Sequence, residues 1–487
     1  MGLRLVGALF YVSKLYSVLV GAAFILIMTR NLSPEDFGAW GVISSILVYA
    51  LMASFVNFWV TRLRAFGDES VTATGFALAL SFSAAATALL ALLSPGISAT
   101  FGIPEAALKV VLAYVPVQYV SGALYASLYA TRPAAAATSE VFFETFKLAA
   151  AAFFALRGKV TLTHALIAVL SGHVAQLAAL AYFTRRELSL RPRLETARKV
   201  LGYSWITALG APIPLIASAD VLLISHFSGN DAVAFYTIIL PFANLIAYSY
   251  FLGRGLYQKL LTTDSSSAAV FTEEALRLVL VIGVPAALGS VALSQSLLYV
   301  MNPLYAAAAP VLRVASFTAL LGSVNSILSD ALQGVERADA MNAKPRELVG
   351  TAFFKLVVLS YAGALLRLAG VYAAVLLHAD PLSTALYSRL AGLLVELAVL
   401  ACLAKWAAAK GFKLLPPGAV KFLAAGLAMY CALTPLSPLR IREVLLAVAL
   451  GAAVYFAVLY AIDSWFRDVA RQLYRRATSW LTREHRP

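Results

Sequence analysis

Residues 29–40 read TRNLSPEDFGAW, a polar knot between two long apolar runs, and residues 225–236 read SHFSGNDAVAFY, again between two apolar runs. At a constant offset of 195, Ser33 aligns with Ser228, Pro34 with Gly229, Asp36 with Asp231 and Trp40 with Phe235. In the first knot Ser33, Pro34 and Asp36 have the order of an N-cap, a proline at the first helical position and an acidic first turn. That local role accounts for them without a catalytic carboxylate pair. Asn31, Leu32 and Ser33 also spell a glycosylation sequon, but capping already occupies Ser33. A second echo lies further on: FKLAAAAFFAL at 146–156 and FKLVVLSYAGAL at 354–365, at an offset of 208. Two copies of a six-helix unit follow from the two echoes.

The apolar runs belong in a bilayer. Of 487 residues, 61% are hydrophobic and 13% charged, and the mean hydropathy is +0.83, more than a soluble core requires. Fourteen segments, near 7–28, 39–60, 72–93, 107–130, 140–156, 162–183, 203–225, 232–252, 275–300, 309–333, 348–366, 382–404, 416–434 and 443–464, approach the roughly 20 residues that span a bilayer core. Strand alternation is missing, so the expected class is an all-α polytopic membrane protein. Residues 371–379 are also apolar, but a helix from there to 404 is too long to span, and Asp380 and Pro381 interrupt it; the stretch reads as an external extension. The run from Val6 to Met28 exceeds a signal-peptide core and reads as a retained first helix. Cys402 and Cys431 sit inside apolar runs, which argues against a disulfide framework and against a metal site.

Charge sets the orientation. With the N-terminus inside, 27 Lys and Arg fall in internal segments and 8, Arg367 among them, in external ones, while Lys147, Lys355 and Arg389 lie within helices. Positive loops stay in the cytoplasm, so both termini are expected there, and the net charge of +14 needs no nucleic acid. The expected organisation is a six-helix lobe over 1–184, a basic cytoplasmic linker over 185–202, a second lobe over 203–408, two extra helices over 409–466 and a basic tail over 467–487. The tail either lies on anionic lipid as an interfacial helix or is solvated. Halves of like orientation imply an axis along the membrane normal and a cleft between lobes.

LSPEDFGAWGVI after the first helix and DVLLISHFSGNDAVAFYTIILPF across the seventh and eighth resemble the Wzx-type polysaccharide flippases of the multidrug, oligosaccharidyl-lipid and polysaccharide exporter superfamily. The resemblance covers most of residues 1–408 and rests on diffuse patterns. It implies a V-shaped, two-lobed transporter of the plasma membrane. Its cargo is a polyprenyl (pyro)phosphate-linked oligosaccharide, moved from the cytoplasmic to the outer leaflet by alternating access. Membrane lipids and glycosyltransferases or a polymerase of the same pathway are the implied partners, with no cofactor. In related flippases an extra helix pair borders a groove for the lipid tail, and helix seven often carries an aspartate where Asp220 stands.

Such cargo requires intramembrane cations, which are costly unless paired or facing water. Lys147 and Lys355 occupy matching positions about eight residues inside helices five and eleven, so comparable depth in the two lobes is expected; snorkelling over about 12 Å is the competing account. Arg62 ends helix two and Arg254 ends helix eight, where each either collects an anionic head or anchors the helix by charge. Lys14, between Tyr11 and Tyr16, lines the cleft or snorkels. Arg389 and Glu396 share a face of helix twelve, as a binding cation or as an ion pair with a neighbour. Glu140 and Glu144 share a face with Lys147, and the spacing from Glu144 to Lys147 permits a neutralising pair. Glu144 and Asp220 are the candidates for ion coupling; a hydrogen-bonded cap is the other reading of Asp220. His173 reads as a satisfied interior group and Asp330 as interfacial.

A phosphate-binding GxxxxGK[ST] sequence, HExxH and any Cys/His cluster are missing, which argues against ATP hydrolysis and metal catalysis by this chain. A membrane glycosyltransferase or polymerase needs a sizeable external loop, and the external loops here are short and poor in acids. A cation-coupled multidrug extruder relies on carboxylates in the first or seventh helix; helix one has none, and in helix seven only Asp220 suits.

Overall fold

The computed structural model describes residues 3–158, 160–253, 256, 260, 265–336, 349–413 and 415–472, with the side chains of 3–15, 265–267 and 336 left aside. Among these residues every regular element is helical. Their order is α1 (Leu3–Asn31), α2 (Pro34–Ala50), α3 (Asn57–Ala65), α4 (Val71–Phe101), α5 (Glu105–Thr131), α6 (Pro133–Leu156), α7 (Leu162–Leu188), α8 (Leu194–Gly210), α9 (Pro212–Thr237) and α10 (Leu240–Ala247). Then come α11 (Ser265–Ala292), α12 (Ser294–Met301), α13 (Ala309–Glu336), α14 (Ala352–Leu377), α15 (Pro381–Ala409), α16 (Ala419–Leu433) and α17 (Ile441–Ile462). Nine helices among the described residues are long and apolar enough to cross a membrane, ten if the bent pair α2–α3 forms one span. Multi-pass insertion therefore holds.

Both knots interrupt helices, by different means. Ser33 sits in extended backbone and its hydroxyl accepts from the Asp36 N–H at 3.1 Å, with Pro34 opening α2, as capping predicts. In the second knot Gly229 takes φ 82° and ψ 172° and kinks α9, a conformation a side chain resists. Asn230 is then fixed on both sides of its amide, accepting from Ser225 Oγ at 2.6 Å and donating to the Phe101 carbonyl at 2.9 Å. The knots also meet. A Cβ on Gly38 would lie 1.8 Å from the Asn230 carbonyl oxygen, so α2 and α9 pack backbone to backbone, an approach only glycine allows.

Several boundaries depart from expectation. The single helix over 39–60 is instead α2 and α3, bent by 54° about a 3-10 turn at Met52–Val56. The Tyr119 hydroxyl donates to the Ala50 carbonyl at 2.9 Å at this break, supplying a donor where the regular ladder ends. Residues 371–379 are not an extension: α14 runs through them to Leu377. It starts after Thr351, whose hydroxyl accepts from the Phe354 N–H, and stops ahead of Asp380, which caps α15 through the Ser383 N–H at 2.8 Å. The fifth helix begins at Pro133 rather than 140. Residues 185–199 are mostly helical, the end of α7 and the start of α8.

Packing divides the described residues into two units, one holding those up to Thr237 together with Val357–Ser388, the other holding those from Ile238 to Glu336, residues 349–356 and those from Arg389 to 472. In the first, α6 packs on α7 and α1, α4 on α5, and α2 on α9; Val120, Leu124, Leu128, Ala136 and Leu180 form a core between α5, α6 and α7. In the second, α16 and α17 lie against α11 through Val284, Leu288, Phe422, Met429 and Tyr455. A Cβ on Gly426 would come within 2.7 Å of Leu288, so the small residue sets that helix spacing.

Candidate substrate-binding site

Lys147 lies in the middle of α6, against α1 and α7, and is only 8% exposed. Its ammonium is 2.6 Å from Glu144 Oε2 and stands over two aromatic faces, Phe143 at 4.6 Å and Phe24 at 5.2 Å. Ion pair and ring quadrupoles together offset the loss of water. Gly172 on α7 makes room: a Cβ there would meet the Phe143 carbonyl oxygen at 2.6 Å and Lys147 Cβ at 3.1 Å. Next to it, the His173 ring packs tilted against Phe143, centroids 4.2 Å apart, and bonds Tyr114 at 3.1 Å and Gln176 at 3.2 Å, the satisfied interior histidine expected. Glu140 is taken by the Tyr125 hydroxyl at 2.6 Å, leaving Glu144 as the partner of Lys147.

A cavity of about 530 Å³ opens in the same unit, beside the break between α2 and α3, and is lined among others by Leu47, Leu51, Phe55, Tyr114 and Pro214. Tyr114 belongs to both features: it lines the cavity and its hydroxyl meets His173. An apolar recess thus adjoins a polar cluster that contains a buried cation, a combination suited to an amphiphilic anion.

Asp220 is held otherwise than expected. Its carboxylate, 2% exposed, is gripped by the Arg367 guanidinium and the Tyr236 hydroxyl, and Arg367 reaches Tyr236 at 3.3 Å. Arg367, expected in an external segment, lies inside α14. The sequence held part of the signal, since an arginine among apolar residues calls for a buried anion, but it does not say which acid supplies it.

The anticipated match in depth between Lys147 and Lys355 is not met. Lys147 is fourteen residues past Pro133, which opens α6, whereas Lys355 is three past Ala352, which opens α14, and it is exposed. The cation at the register of Lys147 is Arg367, fifteen residues past Ala352. Lys147 and Arg367 each have their own carboxylate, Glu144 and Asp220.

Arg62, near the end of α3, is half-buried and stands 5.7 Å over the Trp59 ring; Trp59 in turn packs on Tyr203 at 5.2 Å. Arg389 is half-buried in α15, and Glu396 receives Asn325 Nδ2 at 2.7 Å. Asp330 accepts from the Tyr250 hydroxyl at 2.8 Å. The side chain of Lys14, residue Arg254 and the tail beyond 472 lie outside the described residues. Among the described residues no group of three or more His, Cys, Asp and Glu could hold a metal ion.

The fold is that of known transporters. The lipid II flippase MurJ in an inward closed conformation superimposes with a TM-score of 0.68 at 14% identity, over 95% of this chain and all of that one. A multidrug resistance MATE family transporter of the MOP superfamily matches in its inward-facing conformation with a TM-score of 0.61 at 14% identity, over 81% of this chain and 95% of that one. An outward-facing MATE family transporter matches at 0.54 and 13% identity, over 83% and 94%. A search among curated protein sequences gives no match. A family model described as polysaccharide biosynthesis protein covers residues 7–253, more than half of the chain. The protein belongs to the polysaccharide biosynthesis protein family.

Proposed function

We propose that this protein is a flippase that carries a polyprenyl (pyro)phosphate-linked oligosaccharide from the cytoplasmic to the outer leaflet of the plasma membrane by alternating access, with both termini in the cytoplasm. The observation that carries the reading is the buried Lys147–Glu144 pair, linked through Phe143, His173 and Tyr114 to an apolar cavity, in a chain of a polysaccharide biosynthesis family. The lipid II flippase MurJ has the same fold. In this reading Arg62, Arg254 and Lys355 collect the phosphate head at the cytoplasmic mouth, and Lys14 and Arg389 border its path. Lys147 receives the head within the membrane, and the two six-helix lobes rock about the cargo, with α16 and α17 beside its tail. Glu144 and Asp220 couple by exchange: a proton on either carboxylate frees its partner cation for phosphate. Glycosyltransferases or a polymerase of the same pathway supply or consume the cargo.

The cation-coupled drug extruder is less well supported, because the first span carries no carboxylate and the matching family model is one of polysaccharide biosynthesis. In vesicles loaded with a fluorescent polyprenyl diphosphate oligosaccharide, a leaflet-selective quencher measures flipping. Lys147→Gln lowers the rate about tenfold or more, the size expected for losing a desolvated charge contact. Lys355→Gln lowers it less, and that loss shrinks with added salt. A Lys147→Gln protein that flips at the wild-type rate would sink the proposal.

A further inference from the structure

Three helix ends meet at a cluster that the transport reading does not use. Arg64 closes α3, Arg132 occupies the single residue between α5 and α6, and Glu187 is near the end of α7. One oxygen, Glu187 Oε1, takes both arginines, Arg132 Nη2 at 2.7 Å and Arg64 Nη2 at 3.6 Å. The side chain of Arg64 is 9% exposed and that of Arg132 46%, so one guanidinium forms the floor and the other the rim. Satisfaction is incomplete on both sides: Arg64 Nε and Glu187 Oε2 are buried and have no hydrogen-bond partner among the described residues. Native interiors rarely leave such groups unpaired, least of all two in one place. Two guanidiniums against one carboxylate also leave a net positive charge.

A carboxylate offers two oxygens in one plane, and here only one of them is used. A phosphate holds its terminal oxygens on a tetrahedral centre, three with more than one negative charge in a monoester and two with a single charge in a diester, and so can reach two guanidinium forks converging from different helices. We propose that Arg64 and Arg132 form a separate site for the headgroup phosphate of a lipid, and that Glu187 fills it as an internal stand-in when no lipid is bound. The phosphate displaces Glu187 Oε1 from Arg132 and engages Arg64 Nε, while Glu187 swings toward solvent. The site is independent of flipping: a chain that bound lipid phosphate here without moving it would have it equally.

The charge of Glu187 gives the test its direction. A purely structural ion pair loses affinity or nothing when Glu187 is neutralised, whereas a stand-in ligand, once neutralised, stops competing. The full chain in phosphatidylcholine nanodiscs is titrated with farnesyl phosphate, with farnesol as the neutral control and phosphatidylglycerol as a second phosphate source. Glu187→Gln tightens farnesyl phosphate by about fivefold, and the exposed Arg132→Gln weakens it by about tenfold, the usual reach of one charge-assisted contact. Farnesol binds all forms alike. The double variant behaves as Arg132→Gln alone. Preference for farnesyl phosphate assigns the site to polyprenyl carriers, and equal response to phosphatidylglycerol assigns it to bulk anionic lipid; either upholds a phosphate site. Unchanged or weaker binding in a helical, monodisperse Glu187→Gln protein overturns the proposal, as does unchanged binding in Arg132→Gln.

Discussion

Among the described residues Asp220 is the most deeply buried carboxylate, at 2% exposed. Its carboxylate is nearly sealed while Arg367 keeps a third of its side chain exposed, so the two halves of the pair are unequal. Arg367→Ala strands an anion in an apolar surround and costs about 2–3 kcal/mol after allowance for that exposure, read as a lower midpoint in thermal denaturation of the detergent-solubilised protein. Asp220→Asn combined with Arg367→Gln costs less than the single change, because no unpaired charge remains. Lys147 differs in kind: two aromatic faces hold it as well as Glu144, so Glu144→Gln leaves the lysine tolerated but less restrained. Sequence spacing gave the Glu144–Lys147 pair because three residues along a helix bring side chains together. It could not give Asp220–Arg367, whose partners are 147 residues apart.

At the scale of elements, the repeated knots show how similar strings serve one end by different chemistry. Ser33 caps with a hydroxyl, while Gly229 kinks by adopting a left-handed backbone. Their helices then lock through Gly38, so Gly38→Val forces α2 away from Asn230 and costs about 1–3 kcal/mol as overpacking. The variant is expected to melt earlier than wild type, while Gly21→Val, where a Cβ meets nothing within 4 Å, stays near the wild-type midpoint. An equal effect at both positions would remove the special role of the contact. The break after Ala50 has no proline or glycine to announce it; its partner, the Tyr119 hydroxyl, comes from another helix. The course of α14 through 371–379 was legible in part, since the apolar pattern continued. What misled was the assumption that the helix began at 348, which shifted its whole length.

For the whole molecule the distribution of Lys and Arg makes a prediction about sidedness. In a background with Cys402→Ser and Cys431→Ser, a cysteine at the exposed Asn31 should react with a membrane-impermeant maleimide on intact cells, and one at the exposed Ser189 only after the cells are opened. The reverse labelling would invert the orientation and the direction proposed for transport. The six-helix repeat read from offsets of 195 and 208 remains a proposal about descent and motion. Packing alone groups α9 and most of α14 with the first half of the chain.

The sequence alone determined that the chain is helical and crosses the bilayer many times, because hydrophobic length and charge placement are local properties that a bilayer reads directly, and its knot motifs resemble those of the polysaccharide family to which it belongs. Beyond the local Glu144–Lys147 pair, only the tertiary structure decided which charges are neutralised and by whom. Arg367 moves from an outer loop to the heart of a helix, Lys355 from the interior to the surface, and Glu187 becomes the shared partner of two arginines. The cost of a charge inside a membrane depends on its neighbours in space, and residues more than a hundred positions apart become neighbours only when the helices pack.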